Sequence, residues 1–450
     1  MNARYEEGKR RLSHLLTQTT GFAITTDGWS NLNLQQFTTF TIHFISSNWD
    51  YHSFVLSTIR LPRDTTASSI TEGIQETFKK WNLNLEKCQF IVTDNGSNYL
   101  AACKQLNIRN IPCMAHTLQL SLDEVFEMEE IKLLISKCNL IVTHFRKSFK
   151  KTNLFFTIQK QLGREVPLKL KKSTKTRWGS TYLMMERIND TNDALDLYFK
   201  KNVKKPSDFQ LSDHELHLLQ DLLLLLAPVD YSTLVASEES IPTLSMVFPV
   251  VIQLQLALSQ VSITDSTIIE ARKKLLENLK ERWSAGKNVY SMLASICDPR
   301  FKDLSFVNSK NARDSTKKMF KDFVSATKPA ENNPEVSQEP PPKKRIKDTF
   351  WETFDAPSTT TEELTQYLSR VQIPRQSNPL SWWRDSSHLF PRVAAVVRTL
   401  LCAPATSVPS ERIFSLAGEV FSKKRCRLGA EKANKMIFLK KNQKLWQMDI

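Results

Sequence analysis

The spacing of apolar and polar positions divides the chain into a strand-rich N-terminal part and a helical remainder. Residues 22–27, 37–45 and 49–61 are rich in β-branched and aromatic side chains with partial alternation, which predicts three strands. Apolar residues at helical spacing follow over 65–81, and 90–94 is a short apolar run that ends in a turn. This succession predicts an α/β unit with an antiparallel meander at one edge.

From residue 115 onward the pattern is almost entirely helical. Residues 206–282 are leucine-rich, with one break near Pro242. Between 325 and 347 the sequence becomes polar and proline-bearing, which predicts a disordered linker or a loop. Helical apolar stripes return at 393–401 and 413–421, and each fits packing on the chain's own core as well as a contact with a partner.

Two acids occupy similar positions in the predicted α/β unit. Asp27 ends the first strand and Asp94 ends the fourth, and a turn follows each of them. Side chains at strand ends project into the crevice where α/β proteins bind ligands, and two carboxylates there suit Mg²⁺ or Mn²⁺. Strand-end aspartates also cap helices or close turns, so both interpretations stay open.

Length and charge widen this picture. At 450 residues, with 41% hydrophobic and 24% charged residues, the chain predicts a globular core plus a large insertion or second domain. The net charge of +15 is concentrated in two segments. Residues 144–177 hold eleven Lys or Arg against Glu165, and residues 423–444 hold nine against Glu431. Such clustering favours DNA as a partner over an ordinary solvated surface.

Cysteine usage and hydropathy exclude other classes. The seven cysteines are scattered without a C-x-x-C pair, which predicts reduced thiols. Cys113 and His116 are half a zinc site without a second pair, so no zinc is expected. The longest apolar stretch, 218–226, carries Asp221 and predicts no membrane span. A basic cluster at 340–347 is of the nuclear-import type and predicts a nuclear location, although basic proteins form such clusters by chance.

Six segments resemble, in family order, the motifs of hAT-superfamily transposases and of the BED-type zinc finger proteins derived from them. They are residues 22–30, 91–98, 113–120, 173–180, 296–302 and 408–415. The resemblance covers nearly the entire chain and implies an α/β, RNase H-like catalytic core that is interrupted by a large all-α insertion. A helical C-terminal dimerisation segment would close the core.

The resemblance implies four regions along the chain. They are an N-terminal helical remnant at 1–20, the first part of the RNase H-like core at 21–183, a helical insertion at 184–375 with a disordered segment at about 325–347, and the closing core helix with the dimerisation region at 376–450. The family usually carries an N-terminal BED finger, and the sequence contains no array of its ligands, so we expect a chain without that finger.

The resemblance also assigns roles to residues. Asp27, Asp94 and Glu411 would be the catalytic, metal-binding acids, with Mg²⁺ or Mn²⁺ as cofactor if the protein is active; Glu411 alone also fits a first-turn helix acid. The residues implied in DNA binding are His116, Lys171, Lys172, Lys175, Arg177 and Trp178. The residues implied in homo-oligomerisation are Ile413, Phe414, Leu416, Val420 and Phe421. Trp178 would stack on an unpaired base, although it and His116 also fit buried core positions.

Two functions follow as expectations. A host-recruited nuclear protein would use the fold for DNA binding and dimerisation, which the lack of a finger favours. A catalytically competent transposase would cleave and transfer DNA strands with metal ions, which the three acids favour. An RNase H-like exonuclease of other ancestry fits the acids but not the insertion or the C-terminal motif.

Overall fold

The computed structural model describes residues 1–30, 35–61, 65–174, 177–284, 286–327, 360–420 and 429–448. It is mostly helical, with a small mixed five-stranded sheet near the N-terminus. Contacts between Cα atoms divide the chain into two compact units. The sheet unit comprises residues 1–113, 237–249 and 288–450, and the helical unit comprises residues 114–236 and 250–287.

The sheet confirms the predicted meander. Its strands are β1 (Phe22–Ser30), β2 (Gln36–Ile45), β3 (Tyr51–Arg60), β4 (Cys88–Thr93) and β5 (Arg109–Pro112), in the spatial order β3-β2-β1-β4-β5. β1 pairs with β2, and β2 with β3, in antiparallel fashion, whereas β4 lies parallel to both β1 and β5. The fifth strand was not predicted, because Ile111 is the single buried side chain among its four residues.

Helices form most of the rest of the described chain. The first three are α1 (Asn2–Thr17), α2 (Ala67–Trp81) and α3 (Ser97–Gln105). The next are α4 (Met114–Phe126), α5 (Glu129–Arg146), α6 (Phe149–Gln161), α7 (Trp178–Asp190), α8 (Asn192–Asn202), α9 (Asp213–Ala236), α10 (Val247–Gln260) and α11 (Ser266–Arg282). The last are α12 (Val289–Cys297), α13 (Lys310–Ala326), α14 (Thr360–Ser369), α15 (Pro379–Ser386), α16 (Pro391–Leu401), α17 (Val408–Val420) and α18 (Ala430–Lys441).

The outer edge of β3 is closed by two asparagines of the C-terminal region. The Val55 N–H donates to Asn442 Oδ1 at 2.9 Å, and Asn442 Nδ2 donates back to the Val55 carbonyl at 2.8 Å. The Thr58 N–H donates to Asn434 Oδ1 at 2.7 Å. Unpaired N–H and C=O groups on an edge strand can pair with other chains. The two asparagine side chains form hydrogen bonds with these groups of β3 and thereby prevent such pairing.

The motif at 296–302 forms a buried polar cluster in the sheet unit. Asp298 accepts from Arg300 through both carboxylate oxygens, at 2.9 and 2.7 Å, and from Ser245 Oγ at 2.7 Å. Lys302 Nζ donates to the carbonyls of Tyr367 and Leu368 in the last turn of α14, and burial lowers the pKa of Lys302 to about 8. This segment is therefore structural, because buried charges persist only when they are fully paired.

One segment of the described residues, Pro206–Ala236, is long and apolar enough to cross a membrane by length and composition alone. Its apolar window is 44% buried within the protein, and Leu222 and Leu225 are fully buried. Asp221 on the same helix accepts the backbone N–H groups of Thr264 and Asp265 within the helical unit. These contacts are those of a core helix.

The helical remainder begins at Met114, which confirms the predicted change after residue 115. The predicted break near Pro242 lies between the end of α9 and the start of α10. α13 continues to Ala326, and the predicted linker lies outside the described residues from position 328 onward. The implied boundary at 184 falls inside α7, and α4 to α9 all belong to the helical unit.

Candidate functional site

β1 and β4 bring two of the predicted acids together. Their parallel register pairs Ile24 with Ile91 and Thr25 with Val92. Continued by two residues beyond its last pair, this register would place Asp94, which directly follows β4, opposite Asp27, and neighbouring strands lie roughly 5 Å apart. Asp27 Oδ1 accepts the N–H of the next residue at 2.7 Å, and Asp94 Oδ1 accepts an N–H two residues on at 3.0 Å. The predicted turn after Asp27 is wrong, because β1 continues to Ser30, whereas Asp94 lies in the loop between β4 and α3. These hydrogen bonds orient the two carboxylates.

Tyr99 on α3 lies close to both acids. Burial raises the pKa of the Tyr99 phenol, and the negative charges of Asp27 and Asp94 raise it further. Its hydroxyl lies 3.3 Å from Thr38 Oγ1, and a Cβ atom on Gly28 would approach that hydroxyl to 2.9 Å. The lack of a side chain at Gly28 therefore leaves room for the phenol beside the two carboxylates.

α17 carries Glu411 onto the face of β1 that holds Asp27. Ser410 Oγ lies 2.6 Å from Thr25 Oγ1, and the rings of Phe414 and Trp29 lie 6.0 Å apart. Alternate residues of a strand share a face, so the residues at positions 25, 27 and 29 project together. The two contacts therefore bracket Asp27 on the strand and Glu411 on the helix.

A chain of buried polar groups fixes the first turn of α17. From Ser410 it passes through the hydroxyls of Thr25 and Thr41 to His43 Nε2, which lies 2.8 Å from Thr41 Oγ1. His43 Nδ1 contacts the Tyr51 hydroxyl at 3.3 Å. Burial lowers the pKa of His43 to about 3, with a further contribution from a nearby lysine charge. The imidazole ring is therefore neutral near pH 7, and it takes part in this series of hydrogen bonds without a charge.

The three acids do not form a complete metal site in the described part of the chain. Carboxylate oxygens are ligands that Mg²⁺ and Mn²⁺ prefer. Among the described residues, however, no three or more His, Cys, Asp or Glu side chains are grouped to hold a metal ion. A metal site formed by Asp27, Asp94 and Glu411 therefore stays a prediction.

The residues of the C-x-x-H motif lie at the junction of a strand and a helix. Cys113 is fully buried after β5, and its sulfur accepts the Ser407 N–H at 3.2 Å. His116 lies in the first turn of α4 and is half-buried. The thiol therefore anchors the segment that leads into α17, within the sheet unit.

Trp178 is a buried residue of the helical unit, as one of the two open interpretations of it expected. It is 5% exposed at the start of α7, and its ring lies near that of Tyr182. The backbone N–H of Trp178 donates to Gln119 Oε1 at 2.6 Å. This contact joins two of the family-like motifs, and their separation in the sequence did not reveal it. Stacking on a base would require the ring to leave this packing. Arg177, directly before it, is exposed.

The basic segment at 144–177 is largely exposed. Its exposed cations are Arg146, Lys147, Lys150, Lys160, Lys169, Lys172 and Arg177, and Lys151, Arg164 and Lys171 are half-buried. Lys175 lies outside the described residues. With Arg177 left aside, none of these described cations is in an ion pair within the described chain. Arg177 aside, these cations are therefore not held in ion pairs, although the charge of Lys171 acts on the nearby Asp230 carboxylate.

Two of the residues implied in dimerisation are buried within the protein itself. Ile413 and Leu416 pack in one cluster with Phe37 and Val55 of the sheet. In this arrangement a partner could reach them only if α17 left the sheet. Phe414 is half-buried against Trp29. The side chain of Val420 and the whole of Phe421 lie outside the described residues.

Comparisons with known proteins agree with this arrangement. Residues 25–120 match the ZBED1 RNase-like domain, residues 111–223 match the ZBED1 RNase-like helical domain, and residues 363–443 match the hAT family C-terminal dimerisation region. The first match contains Asp27 and Asp94, and the third contains Glu411.

Three relatives illustrate the similarity. A putative transcriptional regulator, tpeD, of Talaromyces stipitatus is 22% identical over 92% of this chain and 53% of its own length. A putative AC transposase of Zea mays is 22% identical over 98% of this chain and 59% of its own length. Zinc finger BED domain-containing protein 4 of Homo sapiens is 22% identical over 96% of this chain and 38% of its own length.

The chain is a relative of the hAT transposases and of the transposase-derived BED zinc finger proteins. Within that group it combines the RNase-like regions with the C-terminal dimerisation region in a single chain. It spans from 38 to 63% of the length of the first relatives it matches.

Proposed function

We propose that this chain is the DNA-binding and self-associating core of a transposase-derived nuclear protein. The sheet unit would be its RNase H-like core, and the helical unit an insertion into that core. Self-association would use the C-terminal region, which the match to the dimerisation region supports. The nuclear location is supported by the basic cluster at 340–347, which lies outside the described residues.

The observation that carries DNA binding is the exposed basic segment at 144–177. Arg177 aside, its described cations form no ion pair, and the exposed ones can therefore contact an external polyanion. A DNA backbone fits, because each neutralised phosphate releases condensed counterions and adds to the affinity. The segment also carries hydroxyl side chains at Ser173 and Thr174, which suit phosphate oxygens.

Replacement of two exposed lysines by glutamine should reduce the salt dependence of DNA binding. We expect Lys160→Gln/Lys172→Gln to weaken duplex binding and to make the slope of log K against log salt shallower by about 2, because each lost phosphate contact changes it by roughly 0.9. Fluorescence anisotropy of a labelled duplex at several salt concentrations measures this slope.

A second double variant tests whether the position of the lost lysines matters, and not only their charge. Lys273→Gln/Lys280→Gln removes the same charge from exposed positions on α11 of the same unit. We expect its slope to stay near that of the unmodified protein. Equal slopes for the two double variants, or a protein that binds no duplex at low salt, would contradict a DNA surface at 144–177.

The second candidate function is metal-dependent DNA strand cleavage. The observation that favours it is the parallel register that sets Asp27 beside Asp94, because paired carboxylates are the ligands of metal-assisted phosphoryl transfer. It needs Glu411 as a third ligand, and the described residues do not group the three acids for a metal ion. This candidate therefore ranks below the first.

Plasmid nicking separates the two candidates. Under the second, the full chain nicks supercoiled DNA when Mg²⁺ or Mn²⁺ is present, and Asp94→Asn abolishes nicking without loss of DNA binding. Asp50→Asn changes an exposed acid elsewhere in the sheet unit and should leave nicking intact. Intact DNA under all conditions, with binding retained, would leave the binding function alone.

A further inference from the structure

A groove opens on the helical unit where α5 ends and α6 begins. It has a volume of about 460 Å³, which lies in the range of ligand pockets, roughly 300–1,000 Å³. Phe145, Phe155 and Leu170 form its buried apolar floor. Phe149, the first residue of α6, belongs to its lining and is 81% exposed. The groove thus combines an apolar floor with an aromatic ring open to solvent.

Positive charge surrounds this ring. Arg146 and Lys169 line the groove and are exposed, and no acidic side chain of the described chain lines it. Lys150 and Lys151 occupy the first turn of α6, where no acid is present, although acids are the residues that stabilise a helix at this end. The positive side chains at the N-terminal end of α6 therefore do not stabilise the helix dipole, and they would instead attract an anionic ligand.

We propose that this groove binds an unpaired nucleotide of a DNA strand, with the base stacked on Phe149 and the adjoining phosphates on Arg146 and Lys169. The inference rests on the proposed DNA-binding function and adds single-stranded DNA as its substrate class. An aromatic side chain stacks on the face of a base, and that face is open only when the base has left the duplex. Phe149 thus takes the role that Trp178 cannot fill while it is buried.

The chemistry of the lining favours a nucleotide over an apolar peptide. Ser148 and Asn153 add a hydroxyl and an amide group beside the ring, and these can donate to base edges and phosphate oxygens, whereas the Thr152 hydroxyl donates to backbone carbonyls of the protein. A purely apolar partner would leave the cations Arg146 and Lys169 without partners at its border. One exposed ring, flanked by cations and small polar groups, is typical of a single-strand platform.

Binding of single-stranded and duplex DNA of equal length by the full chain tests the assignment. Phe149→Ala should weaken oligothymidine binding about 5- to 100-fold and change duplex binding little, because stacking acts on unpaired bases. Phe149→Tyr should restore the affinity, since it keeps a stacking face. Leu133→Ala removes an apolar side chain that is 60% exposed on α5 and should change neither affinity.

A spectroscopic readout reports the stack directly. A 2-aminopurine base in the single strand should lose fluorescence on binding to the unmodified protein and to Phe149→Tyr, and should keep it with Phe149→Ala. Failure of the unmodified protein to bind either form of DNA would overturn DNA binding together with the groove. If both forms bind and Phe149→Ala weakens neither or both equally, the groove assignment fails while DNA binding stands.

Self-association must be followed in the same variants. Light scattering of Phe149→Ala should give the molar mass of the unmodified protein. A lower molar mass with unchanged single-strand affinity would assign the groove to a second copy of the chain and would overturn the proposal.

Discussion

Asp298→Ala should lower the free energy of unfolding of the sheet unit by about 3–5 kcal/mol, as expected when one partner of a buried ion pair is removed. The variant leaves the Arg300 guanidinium in the core without its carboxylate, and it also takes the acceptor from the Ser245 hydroxyl. Urea denaturation of the full chain, followed by circular dichroism, measures the change. A partially unfolded protein at zero urea would be the extreme form of the same result.

Two further variants test the physical cause. Asp314→Ala removes an exposed acid on α13 and should change the free energy of unfolding by less than about 0.5 kcal/mol. Asp298→Leu/Arg300→Met removes both charges and should destabilise less than Asp298→Ala, because no buried charge is left unpaired. A double variant less stable than the single one would show that packing, and not the ion pair, sets the cost.

Asn442→Ala should destabilise the protein by about 2–4 kcal/mol, because it leaves the N–H and the carbonyl of Val55 buried without partners. The loss should be local to β3 and α18. Hydrogen exchange followed by mass spectrometry should show faster exchange of the Val55 amide, together with a lower midpoint in urea.

Lys441→Ala, directly before that asparagine, provides the control. Lys441 is exposed, so its replacement should leave both the midpoint and the exchange of the Val55 amide unchanged. Unaltered exchange of that amide in Asn442→Ala would mean that water replaces the asparagine without cost, and the edge of β3 would not depend on this side chain.

The sheet could be predicted because the preference of a residue for a strand depends mainly on its own type and on that of its neighbours in the sequence. The runs at 22–27 and 37–45 alternate β-branched and aromatic residues, and they became β1 and β2. The strand-end position was predicted correctly for Asp94, which directly follows β4, but not for Asp27, because β1 continues for three residues beyond it. β5 escaped prediction because its four residues are too few to set a period.

The pattern of apolar positions cannot show which residues pack against a given side chain. The stripe of α17 fitted a dimer surface and the chain's own core equally well, and the structure buries Ile413 against the sheet. Trp178 had the same ambiguity, and in the structure its side chain is buried. Phe149 gave no signal at all, because an exposed ring looks like any other phenylalanine in a helical run.

The hydrogen bond between Thr25 and Ser410 also has a consequence for biosynthesis. The two residues are 385 positions apart, and the ribosome adds about 5–20 residues per second. Ser410 is therefore synthesised roughly 20–80 s after Thr25, and the contact cannot form before then. During that interval the apolar face of the nascent meander lacks the helix that later shields it. Its aggregation in the cell should therefore depend on chaperones that hold the emerging chain, whereas α4 to α11 are complete much sooner.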